Sequence, residues 1–390
     1  MSKLSNLGEV LNGKTIPREK GLYPAYGGNG IISYISKWNY PENTIIIGRV
    51  GANCGAVHFS NSKCWVTDNA LAFIVNKNND PYFVYYLLKL IDLNNFHIGS
   101  SQPLITQSII NNIDFDYIID KQEQSKISKV LKTIDKKIIK NNNINEQLNL
   151  ISQTLYDYWF LQFEFPNEEG KPYKSSGGKM VWNEELKREI PKGWIVENLM
   201  ETSICKDIKA GVDYFDTKNY LPTANINGET ITDGENVTYV NRENRANMQP
   251  IKYSVWFAKM KNSIKHLSIP NNSEWFINKY ILSTGFQGLK CSEDSFSFIH
   301  CVVNSSWFET YKDVLSHGAT QEGVNNEDLK NIKFAVPTDK ILKQFSKIVL
   351  SVLERKFAII KENYELSSLR DFLLPLLMNG QVTFKNESYE

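Results

Sequence analysis

The chain has 390 residues, of which 42% are hydrophobic and 22% charged, and its formal net charge is +1. This composition is typical of a globular protein large enough for two ordinary domains. No apolar run approaches the ~18 residues of a membrane span, and the first residues lack the apolar core of a signal peptide, so we expect a cytoplasmic protein without membrane contact.

The cysteines and histidines are too scattered for a metal or disulfide framework. The five cysteines are an odd number without a CxxC pair, and the five histidines form neither HxH nor HExxH. These spacings argue against a disulfide-stapled fold and a structural zinc site. We therefore expect no metal and no cofactor in this chain.

The sequence pattern of residues 1–120 predicts a strand-rich globular domain. Residues 44–50 form a short β-branched run, residues 64–75 resemble two strands around a polar turn, and residues 81–92 read as a short helix. Residues 8–15 (GEVLNGKT) match the phosphate-loop pattern GxxxxGK[ST]. Because Pro17 follows almost at once and disfavours a helix there, a turn at the start of a domain is the preferred interpretation.

Residues 121–160 carry a narrow heptad stripe over about ten helical turns without Gly or Pro. The stripe predicts a coiled-coil helix, with two polar interruptions that would set register and partner choice. Its predicted seam is Ile127, Val130, Ile134, Lys137, Asn141, Ile144, Leu148, Ile151 and Leu155. Residues 161–193 are rich in turn residues and predict a linker or an ordered connecting arm.

A second copy of the same plan follows. Residues 194–337 are again strand-rich, residues 338–380 repeat the heptad stripe, and residues 381–390 form a tail. Lys137 corresponds to Arg355 at an offset of 218, and Gln102 to Gln321 at an offset of 219. The chain is therefore two copies of one unit, a globular part followed by a long helix. The second predicted seam is Phe345, Ile348, Val352, Arg355, Ile359, Leu366, Leu369 and Leu373.

Loops rich in Arg, Lys, Asn, Gln, Ser and aromatic residues are candidates for contact with double-stranded DNA. Arg pairs with guanine and Asn or Gln with adenine in the major groove, whereas Lys binds phosphate. The first globular part offers Tyr26, Asn29, Lys37, Arg49, Asn53, Lys63, Asp68, Asn69, Ser101 and Gln102. The second offers Arg242, Asn244, Arg245, Lys259, Lys261, Lys265, Ser283, Thr284, Gln287, His317 and Gln321. No catalytic constellation can be assembled from spacing, so catalytic residues are predicted as none.

Several segments resemble the specificity subunits of type I DNA restriction–modification systems. The segments are YPAYGGNGII (23–32), IGRVG (47–51), TDNALAF (67–73), LYDYWFLQF (155–163), GKPYKSSGGKM (170–180) and IPKGW (190–194). The resemblance covers nearly the whole chain, and the central arm is its most specific part. The second globular part matches in outline, through VWFAK (255–259) and YILSTG (280–285).

The resemblance implies an α+β fold with two mixed α/β target recognition domains in a pseudo-twofold arrangement, joined by two long antiparallel coiled-coil helices. Each domain would read one half of a split asymmetric DNA site. Two methyltransferase subunits would methylate adenine at N6, and two motor–nuclease subunits would cleave DNA. S-adenosylmethionine, ATP and Mg are expected on those partner subunits, and this chain is expected to be non-catalytic.

Two other interpretations stay open at the level of sequence. The chain could be a non-catalytic pair of protein- or carbohydrate-binding domains on a coiled-coil stalk, which an aromatic content of 12% would suit. It could also be an enzyme acting through residues 8–15. Salt-sensitive, sequence-specific DNA binding would distinguish a DNA-recognition subunit from the first alternative. Nucleotide binding by the isolated chain would support the second.

Overall fold

Short β-branched and aromatic runs form the strands of this chain, and its two heptad-patterned segments form long helices. The computed structural model describes residues 2–99, 102–228, 230–318 and 322–384. It divides into two compact units, one of residues 1–138 with 365–390 and the other of residues 139–364. Each unit mixes helices with sheets, so the predicted α+β class is confirmed.

The first unit is built on a four-stranded antiparallel sheet of order β2-β8-β5-β6 and a smaller sheet of order β4-β3-β7, in which β3 and β7 are parallel. A third pair joins β1 to β9. The strands are β1 (Ser2–Lys3), β2 (Gly8–Asn12), β3 (Lys20–Gly27), β4 (Gly30–Ile35), β5 (Thr44–Gly48), β6 (Val57–Ser60), β7 (Trp65–Val66), β8 (Ala70–Val75) and β9 (Asp114–Phe115).

Two helices cover the sheet of the first unit, α1 (Pro81–Ile91) and α2 (Gln107–Asn111). Asp80 caps α1 by accepting hydrogen bonds from the backbone N–H groups of Tyr82 and Phe83. The phosphate-loop pattern at residues 8–15 is not a loop, because Gly8–Asn12 is strand β2 and pairs along β8. The expected turn is therefore corrected to a strand, and no helix follows it as a phosphate loop requires.

The first long helix is α3 (Lys121–Tyr156), which continues as a π-helical turn at Asp157–Leu161. The arm that follows is ordered and contains the hairpin β10 (Met180–Asn183) and β11 (Arg188–Pro191). Phe165 stacks on Tyr173 and on Trp194, with ring centroids 4.6 and 5.2 Å apart. These aromatic contacts hold the arm on the core of the second unit.

The second unit repeats the sheet plan of the first. One sheet has the order β13-β22-β19-β20, and the other has the order β17-β14-β21-β18 with β14 and β21 parallel. Its strands are β12 (Ile195–Asn198), β13 (Cys205–Asp207), β14 (Lys218–Leu221), β15 (Ile226–Asn227), β16 (Thr230–Ile231), β17 (Asn236–Val237), β18 (Ala246–Met248), β19 (Ser254–Ala258), β20 (His266–Ile269), β21 (Tyr280–Ser283), β22 (Phe286–Cys291) and β23 (Lys333–Val336).

The remaining α-helices of the described residues are α4 (Glu274–Lys279), α5 (Glu293–Val303), α6 (Ser306–Leu315), α7 (Asn326–Leu329) and α8 (Asp339–Met378). The boundary between the two units falls inside both α3 and α8. No helix in the described part of the chain is long and apolar enough to cross a membrane.

Within the second unit α3 and α8 run antiparallel and meet through amides. Nδ2 of Asn141 donates to Oε2 of Glu362 at 2.7 Å and to Oδ1 of Asn363 at 2.9 Å, and Nδ2 of Asn363 donates to Oδ1 of Asn142 at 2.8 Å. In the first unit the two helices are joined by Arg370 and Asp135, whose nitrogen and oxygen lie 2.8 Å apart. The contacts between the helices therefore include a polar belt, and Asn141 in this belt is one of the predicted polar interruptions of the seam.

The predicted seam is only partly packed. Ile127, Ile134, Asn141, Phe345 and Ile359 are buried, and Val130, Ile144, Leu148, Leu155, Val352, Leu366 and Leu373 are half-buried. Three apolar predictions are corrected, because Ile151, Ile348 and Leu369 are 54%, 49% and 46% exposed. Lys137 and Arg355 also lie on the exposed side. Other buried positions on the two helices are Ser128, Leu131, Asn145, Ser152, Val349, Leu353 and Phe357, of which Leu131, Val349, Leu353 and Phe357 belong to the cores of the globular parts.

Candidate nucleic-acid interface

The central strands β5 and β19 end in equivalent cations. Arg49 follows β5, and its backbone N–H donates to the Asn69 carbonyl at 3.0 Å while its carbonyl accepts from Ile105 at 2.9 Å. Lys259 follows β19, and its N–H donates to the Gly285 carbonyl at 3.0 Å while its carbonyl accepts from Val324 at 3.0 Å. The same backbone pattern therefore places one cation at the same point of each unit.

Four segments converge around Arg49, and we call them the first loop face: residues 27–30, 48–55, 67–70 and 102–105. Gly51 N–H donates to the Pro103 carbonyl at 3.0 Å. A Cβ atom on Gly48 would lie 2.1 Å from the Asn53 carbonyl oxygen and 2.7 Å from that of Gly28. Because no side chain fits in that space, glycine is required where these segments meet.

Buried polar atoms on or beside the first loop face lack hydrogen-bond partners. Among the described residues, Nε of Arg49, Nε2 of His58 and Oγ1 of Thr67 are buried and unpaired. Burial lowers the pKa of His58, outweighing its hydrogen bond with the Gly28 backbone, so the ring is held neutral. Buried unpaired polar atoms are costly, and their concentration beside one loop cluster is typical of a surface that binds a polar ligand.

Six predicted residues share the first loop face: Asn29, Arg49, Asn53, Asp68, Asn69 and Gln102. Ser101 lies outside the described residues. Tyr26 is corrected, because only 7% of it is exposed and its hydroxyl donates to the Phe59 carbonyl. Lys37 and Lys63 contact other groups, the carboxylate of Glu19 and the ring of Trp38. His58 and Thr67 are not among the predicted residues, since a lone His or Thr in a strand-rich segment carries no pattern.

The second loop face comprises residues 244–247, 258–261, 283–286 and 322–324. Its backbone hydrogen bonds include Thr284 N–H to the Arg245 carbonyl at 2.8 Å and Lys261 N–H to the Glu322 carbonyl at 3.0 Å. Burial, and to a smaller extent the positive charge of Arg245, lowers the pKa of Lys259, while Asp207 acts against this shift. The second loop face therefore holds two cations, Lys259 and Arg245, with Asp207 as a nearby negative charge.

Asn244, Arg245, Lys259, Lys261 and Thr284 lie on the second loop face, and His317 borders it through its backbone hydrogen bonds with Gly323. Gln321 is outside the described residues. Ser283 and Gln287 are corrected, because both are buried. The hydroxyl of Ser283 accepts from Gly285 N–H, and the amide of Gln287 donates to Asp207.

Arg242 and Lys265 also have internal partners. The guanidinium of Arg242 lies over the Tyr239 ring, 4.3 Å from its centroid. The ammonium of Lys265 donates to the Ile226 carbonyl. Among the described residues no cluster of three His, Cys, Asp or Glu side chains could hold a metal ion.

Comparison with known proteins gives a consistent picture. Residues 1–150 match the family model described as "Type I restriction modification DNA specificity domain". The chain is 26% identical to the MjaIX specificity subunit of Methanocaldococcus jannaschii, over 77% of this chain and 68% of the relative. It is 22% identical to the HindI specificity subunit of Haemophilus influenzae, over 72% of this chain and 71% of the relative.

A solved structure shares the fold. The S subunit of a type I restriction–modification system from M. genitalium superposes with a TM-score of 0.57 at 18% sequence identity, covering 97% of this chain and 95% of that chain. The family domain at residues 1–150 and the relatives that span most of the chain agree with each other. Over most of its length the chain is therefore similar to specificity subunits of type I DNA restriction–modification systems.

Proposed function

We propose that this chain is the DNA-recognition subunit of a type I restriction–modification complex, in which each loop face reads one half of a split, asymmetric site. The observation that carries the proposal is the equivalent placement of Arg49 and Lys259, each at the end of the central strand of its sheet. The unpaired Nε of Arg49 and the placement of Lys259 beside Arg245 on one face both support an anionic, hydrogen-bonding partner.

The chemistry of the side chains determines which of them would contact bases and which would contact phosphate. Arg49 has the planar fork that binds guanine or phosphate in two places, and Asn29, Asn53, Asn69 and Gln102 offer the amides that pair with adenine. Lys259 and Lys261 position phosphate. In this proposal double-stranded DNA is bound by this chain, methyltransferase subunits carry S-adenosylmethionine and methylate adenine at N6, and motor–nuclease subunits use ATP and Mg to cleave DNA.

The test is methylation-aware sequencing of DNA from the source cell with the gene intact, deleted, or carrying Arg49→Gln or Lys259→Gln. Deletion should abolish N6-methyladenine at one split motif. Each substitution should weaken methylation at that motif by roughly 10-fold or more, since a good bidentate contact is worth about 1–3 kcal/mol. Lys37→Gln and Lys63→Gln, which change exposed lysines away from the first loop face, are the matched controls and should leave methylation unchanged.

Either of two results would contradict the proposal. One is a deletion that changes no methylated motif while an associated methyltransferase is active. The other is an effect of the control substitutions equal to that of Arg49→Gln. The salt dependence of DNA binding adds a second readout, because loss of one phosphate contact should reduce the slope of log K against log salt by about 1.

A further inference from the structure

The loop that joins β19 to β20, residues 259–265, carries two cations of the second loop face, Lys259 and Lys261. The loop also contacts α6, a helix that lies outside that face. The helix itself is fixed on β19, because the rings of Phe308 and Phe257 pack edge to face with their centroids 5.0 Å apart. Helix α6 is therefore placed where it can hold the loop that carries the two lysines.

Lys312 of α6 is a cation with a fully buried side chain. Its ammonium donates to the carbonyl oxygens of Ala258 and Ser263, each at 3.2 Å, and lies 2.8 Å from Oε2 of Glu309. Three oxygens therefore surround a group that has three N–H donors. Ala258 ends β19 and Ser263 lies beyond the tip of the loop, so one buried side chain joins the two ends of segment 259–262.

The pair of Lys312 and Glu309 also reaches the second strand of this hairpin. Oε1 of Glu309 lies 2.8 Å from Nε2 of His266, which is the first residue of β20. Although burial raises the pKa of Glu309, its hydrogen bonds with His266 and Lys312 outweigh burial and lower that pKa. The carboxylate is therefore ionised near neutral pH, and it connects α6 to the strand that follows the loop.

Asp313, the next residue of α6, holds the tip of the same loop. Its Oδ1 accepts a hydrogen bond from the backbone N–H of Asn262 at 3.0 Å. Asn262 has a φ of 55°, in the left-handed region that asparagine adopts more readily than most other residues. The hydrogen bond to Asp313 therefore stabilises one uncommon backbone conformation directly beside Lys261.

The equivalent turn of the first unit, which follows Arg49, is held by its own backbone. Gly55 N–H donates to the Gly48 carbonyl at 2.8 Å, and Gly48 N–H donates to the Ala56 carbonyl at 2.8 Å. The second unit adds side chains of a neighbouring helix to the backbone contacts of its loop. The conformation of the second loop face should therefore respond to substitutions in α6.

We propose that Lys312 and Asp313 are positioning residues for DNA recognition, which hold the loop of residues 259–265 where its lysines contact the phosphates of one half-site. This inference rests on the proposed function. Neither residue touches DNA in this arrangement, because Lys312 is buried and the negative charge of Asp313 is repelled by phosphate. Since phosphate contacts fix the register of a reader on the duplex, displacement of this loop would weaken recognition by the second unit.

The test compares Asp313→Ala with Asp313→Asn in binding titrations. The probe is a duplex that carries the split motif found by methylation-aware sequencing, and the protein is the full chain with the methyltransferase subunits that purify with it. Both substitutions remove the same charge, but asparagine keeps an oxygen that can accept from Asn262 N–H. Asp313→Ala should weaken binding about 3- to 10-fold, and Asp313→Asn should stay within about 2-fold of wild type. Val314→Ala shortens an exposed side chain of the same helix and should bind as wild type does.

The salt dependence of binding separates positioning from a loss of folded protein. A smaller folded fraction lowers the affinity but leaves the slope of log K against log salt unchanged, whereas each lost phosphate contact reduces that slope by about 0.9. Asp313→Ala should reduce the slope. It should have little further effect in the Lys259→Gln/Lys261→Gln background, because residues that act through one contact are not additive. Lys312→Met should also reduce the slope, but it leaves Glu309 without its buried partner and lowers Tm, so Asp313 provides the cleaner comparison.

Three results would overturn the inference alone. The first is weaker binding by Asp313→Ala with an unchanged slope, or an equal loss in the Lys259→Gln/Lys261→Gln background. The second is binding by Asp313→Asn that is as weak as that of Asp313→Ala. The third is wild-type binding by Asp313→Ala while the double lysine substitution weakens binding. If the double lysine substitution leaves both affinity and slope unchanged, the proposed function of the second loop face fails, and the inference fails with it.

Discussion

At the scale of single residues, Asn145 is the most unusual side chain of the helix pair. It is fully buried, and neither atom of its amide has a hydrogen-bond partner within the described structure. Its neighbour Asn141 is equally buried but bonds to Glu362 and Asn363. The two asparagines therefore occupy similar positions with opposite energetic consequences, because an unpaired buried amide costs free energy and a paired one does not.

Asn145→Leu should raise the free energy of unfolding by about 1–2 kcal/mol, because leucine has a similar volume and needs no partner. Asn141→Leu should lower it by about 1–3 kcal/mol, because it removes two hydrogen bonds across the helix pair. Urea denaturation of the two variants beside wild type measures both changes. Equal effects of the same sign would show that the hydrogen bonds of Asn141 do not distinguish the two sites.

The half-buried His58 and the buried His300 should make the protein sensitive to mild acid. Burial lowers the pKa of His58 in the first unit and of His300 in the second, where Lys356 and His266 add to the effect. Below pH ~6.5 the unfolded chain binds a proton at each site that the folded chain does not, so stability falls as pH falls. The slope should be up to about 1.4 kcal/mol per pH unit for each histidine.

Thermal unfolding between pH 7.5 and 5 checks this prediction. His58→Gln and His300→Gln should each flatten the fall in Tm, and replacement of the exposed His97 by Gln should not. Glu309 does not contribute to this fall in Tm. Because its pKa is lowered in the folded protein, the stability that it provides is lost only below its ordinary pKa of 4.5, outside this pH range. A fall in Tm that is as steep in both variants as in wild type would assign the acid sensitivity to other groups.

At the scale of elements, the first loop face depends on the absence of a side chain at Gly48. Gly48→Ala would drive a Cβ atom into the Asn53 and Gly28 carbonyl oxygens and should cost about 1–3 kcal/mol or displace both segments. Gly28→Ala is the matched control, since its Cβ would lie 3.4 Å from the nearest atom. DNA binding should weaken in Gly48→Ala and persist in Gly28→Ala. Similar losses in both would mean that the convergence at Gly48 is not what shapes the face.

The sequence predicts the elements better than it predicts how they meet. Heptad periodicity and the 218-residue offset identify the two helices, because periodicity is a local property. The seam is partly misplaced, since a count of apolar residues favours Ile151 and Ile348 over the buried Asn145 and Ser152. Which loops converge depends on sheet order and crossovers between segments far apart in sequence. For that reason the sequence alone does not show that Arg49 and Lys259 lie on the loop faces whereas Lys37 and Gln287 do not.

At the scale of the whole molecule, duplication is the main feature. The two units share strand order and the backbone pattern around Arg49 and Lys259, although their loops differ in sequence. A constant frame with divergent loops allows one half-site to change independently of the other. The long helices are the element common to both units, so in the proposed function their length sets the number of unread base pairs between the half-sites.

Inserting one heptad into both helices tests whether helix length sets the spacing between the half-sites. Seven residues added after Ile138 in α3 and after Tyr364 in α8 fall at the boundary between the units and keep each helix face within ~20° of its original direction. The insertion adds about 10 Å at 1.5 Å per residue, which corresponds to about 3 base pairs of duplex. Methylation-aware sequencing should therefore find the same half-sites with a gap about 3 base pairs longer. The insertion in α3 alone should abolish methylation, because with α8 unchanged the Asp135–Arg370 pair and the Asn141–Glu362 bond cannot both stay in register. An unchanged gap in an active double insertion would show that the helices do not set the spacing.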